Sequence, residues 1–263
     1  MDHNILDEIA EKTKERVLGY KERVSLDDMK FKALSLNPDT GFVFEKALKK
    51  EGMAFICEIK KASPSKGIIT GNFPYLNIAL EYEHAGADAI SVLTEPYWFL
   101  GSDNYLTQIK GAVTIPVLRK DFTVDEYMIY QAKVMGADAV LLIVSIFSDS
   151  QLKEYLDIAD ELGLSVLTEC HDDEEVEKAL LSGARIIGVN NRNLKNFSVD
   201  PLNALSLRDK VPSGITFVSE SGISDRSQVE ELERNSVNAV LVGETLMRSD
   251  NKKKTLNMLK GNI

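Results

Sequence analysis

Eight short apolar runs recur along the chain after its first fifty residues, and nothing else in the sequence constrains the fold as strongly. They are Phe55–Ile59, Ala89–Leu93, Ile115–Leu118, Ala139–Val144, Ser165–Leu167, Ile186–Val189, Thr216–Val218 and Ala239–Val242. Their centres lie roughly 20–35 residues apart, the spacing of repeated strand and helix units in a (β/α)₈ barrel. Most are rich in Val and Ile and lack polar alternation, as strands of a parallel sheet covered on both faces should be.

The segments between these runs read as amphipathic helices. Leu152, Tyr155, Leu156, Ala159 and Leu162 keep a helical stripe that Ser148 or Ser150 can cap. Tyr127, Tyr130 and Val134 do the same behind Thr123 and Asp125-Glu126, and a further helix starts near Asp172-Asp173 with Val176, Ala179 and Leu180. Gly86-Ala87-Asp88-Ala89, Gly136-Ala137-Asp138-Ala139, Gly183-Ala184-Arg185-Ile186 and Val237-Asn238-Ala239 form a weak internal repeat before four of the strands. Glycine there ends a helix and lets the chain turn, so these positions are expected to serve stability, with function at the opposite end.

Residues 1–50 differ in character. Ile5, Ile9 and Val17-Leu18 suggest a charged amphipathic helix, and Val43, Ala47 and Leu48 a second short one. The segment is too small for a domain with its own large core and reads as an extension packed on the barrel, so residues 1–263 are expected to form one domain. The net charge of −10 argues against nucleic acid as a partner. Lys252-Lys253-Lys254 reads as a solvated helix end. No window approaches the ~20 apolar residues of a membrane span, and the start Met1-Asp2-His3-Asn4 is polar, so a soluble cytoplasmic protein is expected. Cys57 and Cys170 each sit in an apolar run without metal-ligand spacing and read as buried thiols, although their number alone leaves a disulfide open.

Polar residues gather where the strands end: Glu58 and Lys60, Lys120-Asp121, Glu169, Asn190 with Arg192, Glu220-Ser221-Gly222, and Gly243-Glu244. Any one of them alone reads more readily as a salt bridge or a solvated rim. In a closed barrel, however, all converge on one mouth, where such enzymes keep their catalytic groups. Lys120 and Glu169 suit an acid and a base, since an ammonium in a partly desolvated pocket can donate a proton that a carboxylate elsewhere accepts. Ser221-Gly222 and Gly243-Glu244 end the last two units, where barrels frequently bind phosphate through backbone N–H groups. His3, His84 and His171 form no cluster and read as structural or exposed, so no metal site and no cofactor is expected.

EIKKASPSKG (58–67), LRKDF (118–122), LTE (167–169), GVNNRNL (188–194), SESGIS (219–224) and LVGETLMR (241–248) together resemble the motif set of the indole-3-glycerol-phosphate synthase family, over all barrel units and with an N-terminal extension of the expected size. The first motif is specific, whereas a phosphate turn alone occurs in many barrels. The resemblance implies the substrate 1-(2-carboxyphenylamino)-1-deoxyribulose 5-phosphate and loss of carbon dioxide and water to give indole-3-glycerol phosphate. It implies that Lys120 is the general acid and Glu169 the base of the later dehydration. Lys60 holds the substrate carboxylate or shares proton transfer, and Glu58 orients it. By the same carry-over Asn190 and Ser221 position polar groups of the substrate, Arg192 supports the site, Glu220 organises the neighbouring loop and Phe122 shapes the anthranilate pocket. Ser63, Gly222, Gly243 and Glu244 surround the phosphate. Position 62 is Ala where some relatives carry a phosphate-reaching lysine, and Lys66 is open as a substitute. The expected partner is a phosphorylated small molecule, with neither nucleic acid nor membrane, and the expected state a monomer with a weak homodimer as the alternative.

Three other readings compete. A phosphoribosylanthranilate isomerase would use a Cys and Asp pair, but Cys57 is followed by Glu58 and Lys60. A Schiff-base aldolase would use Lys120 as nucleophile. A non-catalytic phosphosugar-binding barrel would keep the phosphate turns with a damaged reaction centre, whereas Glu58, Lys60, Lys120 and Glu169 are all present.

Overall fold

The computed structural model describes residues 5–193, 197–200 and 202–262. Among these, eight parallel strands close into a barrel in chain order: β1 (Ala54–Ile59), β2 (Ala89–Leu93), β3 (Val117–Lys120), β4 (Ala139–Ile143), β5 (Ser165–Cys170), β6 (Ile186–Asn190), β7 (Thr216–Glu220) and β8 (Ala239–Val242), which pairs back onto β1. The helices are α1 (Ile5–Arg23), α2 (Leu26–Leu34), α3 (Val43–Leu48), α4 (Tyr75–His84), α5 (Asp103–Ala112), α6 (Glu126–Val134), α7 (Asp149–Glu161), α8 (Asp173–Leu181), α9 (Asn203–Arg208), α10 (Arg226–Arg234), α11 (Glu244–Arg248) and α12 (Lys252–Lys260). A short antiparallel ribbon, Ala62–Ser63 with Gly67–Ile68, follows β1. His3 and Leu194, named above, lie outside the described residues, and no described helix is long and apolar enough to cross a membrane.

The eight apolar runs all become strands, but several extend past the expected ends. The run at Ile115–Leu118 shifts to Val117–Lys120, Ser165–Leu167 lengthens to Cys170, and Thr216–Val218 to Glu220. Apolarity marks only the part of each strand inside the greasy core, while Lys120, Glu169 and Glu220 stay on the ladder as polar residues, with Glu169 paired to Ile143 and Glu220 to Asn190. The run Ala139–Val144 instead stops at Ile143, and Val144–Ile146 forms a single 3₁₀ turn. In the extension, a helix over Leu26–Leu34 stands between the two expected ones, announced by the Ser25 cap that accepts from Asp28 N–H. The lysine run opens α12 and is largely exposed, held by the Asn251 cap.

Side-chain alternation decides what enters the barrel. Ala54 and Ile56, Leu118, Ala139 with Leu141 and Ile143, Leu167, Ile186, Val218, and Ala239 with Leu241 form the filling. Phe55, Cys57 and Ile59 pack outward against the helices. The glycine repeat closes the lower end: Gly86, Gly136 and Gly183 have φ of 83°, 86° and 91°, and Ser236 takes the same left-handed turn at 59°. Asp88, Asp138 and Asn238 then accept the N–H groups of Phe55, Val117 and Phe217, each at 2.8 Å, locking neighbouring strands at their starts. Cys57 and Cys170 are both free and buried.

Candidate active site

The alternation that places Ala54 and Ile56 inside also turns Glu58 and Lys60 inward, and the same parity brings Lys120 above Leu118, Glu169 above Leu167, Asn190 above Ile186 and Gly188, and Glu220 above Val218. These side chains floor a cavity of about 640 Å³ at the C-terminal ends of the strands. Ile5, Leu6 and Ile9 of α1 line it from above, with Phe99 and Phe122 as an aromatic wall whose ring centres are 6.0 Å apart. Such a size and lining suit a phosphorylated aromatic small molecule.

Lys120 Nζ lies 2.7 Å from Glu169 Oε2 and 2.6 Å from Glu220 Oε2. Burial works against its charge, but Glu169, Glu220 and Glu58 outweigh it and hold the ammonium above the ordinary lysine range. Burial likewise opposes ionisation of Glu169, yet Lys120, His171 and the hydrogen bond from Asn190 Nδ2 at 3.2 Å bring its carboxyl down to about 2. Glu220 goes the other way: burial, with repulsion from Glu169 and Glu58, pushes it up to about 7 against the pull of Lys120. Its Oε1 is buried without a hydrogen-bond partner among the described residues. Glu58 Oε1 and Lys60 Nζ pair at 2.5 Å on the adjoining wall.

Two glycines make room for these carboxylates. A Cβ at Gly188 would collide with Glu220 Oε1, and one at Gly243 would collide with Glu58 Oε1 and stand 3.1 Å from Lys60 Nζ. Ser221 and Gly222 both turn left-handed, with φ of 65° and 81°, so the chain bends sharply as it leaves β7. Asn191 Nδ2 holds that bend by donating to Ser221 O at 3.0 Å. Ser63, Ser221, Gly222, Gly243 and Glu244 share one side of the cavity. The Glu244 carboxylate there accepts from Arg248 Nε at 3.0 Å and faces Lys66 at 3.8 Å and Arg192 at 4.0 Å, so cations gather on that side. Arg192 is fixed by its own N–H to Asn190 Oδ1 at 3.0 Å and by donating to Phe197 O.

All thirteen residues singled out in the sequence therefore border the same cavity. Phe99, Arg16 and His171 were missed. Arg16 of α1 reaches Asp121, next to Lys120, in a buried pair at 2.7 Å, and nothing in its local pattern distinguishes it from the other charges of that helix. His171, read above as structural or exposed, stands between Glu169 and Glu175. Its position two residues after Glu169 was the available signal.

The family model described as indole-3-glycerol phosphate synthase matches residues 6–259. The proteins named indole-3-glycerol phosphate synthase from Ruminiclostridium cellulolyticum and Endomicrobium trichonymphae are each 56% identical to this chain over 257 residues, covering 98% and 97% of it and 99% of their own lengths. Among solved structures, 3-hexulose-6-phosphate synthase from Salmonella typhimurium superposes with a TM-score of 0.65 at 18% identity, covering 80% of this chain and 97% of its own, a likeness of fold alone. With motifs at the ends of six of the eight barrel strands, one converging cavity and matches over nearly the full length, the chain belongs to the indole-3-glycerol phosphate synthase family.

Proposed function

We propose that this chain closes the indole ring, converting 1-(2-carboxyphenylamino)-1-deoxyribulose 5-phosphate to indole-3-glycerol phosphate, carbon dioxide and water, the carboxy-lyase step of tryptophan biosynthesis. The observation that carries this reading is the buried ammonium and carboxylate, Lys120 and Glu169, 2.7 Å apart on the cavity floor. Lys120 donates its proton to the ribulose carbonyl oxygen as the ring carbon bearing the carboxylate attacks, and carbon dioxide leaves from that carbon, returning its electron pair to the benzene ring. The new hydroxyl then takes a second proton, from Lys60, and departs as water, and Glu169 removes the proton whose loss makes the five-membered ring aromatic. Lys60, oriented by Glu58, holds the substrate carboxylate or shares in proton transfer. Asn190 and Ser221 position the polar chain of the substrate, Arg192 and Glu220 support them, and Phe122 with Phe99 clasps the anthranilate ring.

Phosphate sits against Ser63, Gly222, Gly243 and Glu244, bound by hydroxyl and backbone N–H groups. The Glu244 carboxylate serves there through the cations it gathers, Arg248, Lys66 and Arg192. Residues 1–263 act as one domain, and the chain works as a monomer, with a weak homodimer as the alternative. Supplying the carboxyphenylamino deoxyribulose phosphate to the purified protein should produce indole fluorescence. Tight binding of that compound without turnover would contradict the proposal and favour a phosphosugar-binding barrel.

A further inference from the structure

His171 follows β5 directly, and the ring is held on two sides. Its Nδ1 lies 3.1 Å from Glu175 Oε2, the same oxygen that accepts the His171 backbone N–H at 2.8 Å. Asn203 Nδ2 of α9 donates to the His171 carbonyl at 3.2 Å. The opposite nitrogen, Nε2, is buried without a hydrogen-bond partner among the described residues and lies 3.4 Å from Glu169 Oε1, within ion-pair distance. Lys120 holds the other oxygen of the same carboxylate. Glu169 thus lies between two cation-capable groups, only one of which the proposed reaction uses.

The charge balance of the floor gives the second group a task. Among the described residues, three buried carboxylates, Glu58, Glu169 and Glu220, face two ammonium groups, Lys60 and Lys120. When Lys120 turns from Glu169 to the substrate oxygen, Glu169 loses its strongest partner while still buried beside Glu220, with only the neutral Asn190 Nδ2 donating to it, and a buried carboxylate without a counter-charge takes up a proton and ceases to be a base. We infer that His171 is a positioning residue whose imidazolium keeps Glu169 ionised and aimed after Lys120 has left it. The inference rests on the reaction proposed above.

The surroundings favour the imidazolium. Glu169 of β5, Glu175 of α8 and Glu220 of β7 act on the ring together, and Asp172, Asp200 and Arg192 line the polar recess on its far side. Burial opposes its charge, but the Glu175 hydrogen bond and the carboxylates outweigh it and raise the group above its ordinary 6.5.

The test is kcat against pH with the carboxyphenylamino deoxyribulose phosphate for the native chain, His171→Gln and Glu175→Gln. The glutamine side chain of the first variant keeps an N–H donor near Glu169 but carries no charge. The native kcat should fall as His171 loses its proton. In His171→Gln that step should vanish and kcat should drop about 10-fold at neutral pH with KM little changed. In Glu175→Gln, which removes one carboxylate from the ring, the step should move to lower pH. A step belonging to Glu220 would survive both substitutions unmoved, and that result would overturn the inference, as would native kcat in His171→Gln. If His171→Gln does not fold, the shift or its absence in Glu175→Gln decides the matter alone. A fully active Glu169→Gln would instead defeat the underlying reaction, so the two failures are distinct.

Discussion

Gly243 has a negative φ of −115° in the right-handed region, with none of the left-handed geometry that favours glycine, so its missing side chain answers to space and not to conformation. The space is occupied by the paired ends of Glu58 and Lys60. Alanine at 243 should therefore leave thermal stability nearly unchanged while displacing that pair, and kcat/KM should fall about 10-fold for a misplacement of this size. Comparing melting temperature with kcat/KM checks this, and a loss of stability without a loss of activity would show that the glycine serves the turn. Individual site residues were legible because their chemical types match the reaction and their spacing fixes their parity. The state of each was not, since Glu169 and Glu220 are the same residue type at the ends of their strands, yet the one is pulled down to about 2 and the other pushed up to about 7 by neighbours from distant parts of the chain.

Among the elements, the N-terminal helix is held to the mouth by one buried ion pair. Arg16 Nη2 meets Asp121 Oδ1 at 2.7 Å, and Asp121 Oδ2 accepts from Thr94 Oγ1 at 2.6 Å and faces Arg119 at 3.7 Å. Removing Arg16 leaves the buried Asp121 with the more distant Arg119 as its counter-charge, so Arg16→Ala should cost about 3 kcal/mol, the low end for a broken buried pair, by denaturant unfolding and should raise KM, because α1 carries Ile5, Leu6 and Ile9 over the cavity. An unchanged midpoint and KM would mean that the helix is held by its apolar face. The barrel units could be read from apolar runs and glycine turns, both local signals. The strand ends could not, because Lys120, Glu169 and Glu220 break the apolar run while remaining on the ladder, and α2 is a short, weakly patterned helix whose one local signal was the Ser25 cap.

Across the barrel as a whole, Glu220 on the cavity floor and the Arg16–Asp121 pair load stability in opposite directions with pH. Burial raises the Asp121 carboxyl, but Arg16 and Arg119 bring it below the ordinary carboxylate range, so it stabilises the fold above that range and the contribution is lost as pH falls through its folded value. Glu220, raised from 4.5 to about 7, does the reverse: the folded chain binds its proton more tightly, and stability is lost as pH rises through that interval. Glu220→Gln should therefore gain about 2–4 °C in melting temperature relative to the native chain between pH 5 and pH 8, whatever its activity. An equal difference at both values would mean that Lys120 fully compensates the charge. The proposed chemistry depends on an acid from β3 and a base from β5 sharing one buried floor, and turnover of the carboxyphenylamino deoxyribulose phosphate by Lys120→Ala, followed by indole fluorescence, tests it most directly. With the fold intact, kcat should fall about 100-fold or more; a Lys120→Ala protein that turns over at the native rate would contradict the assignment.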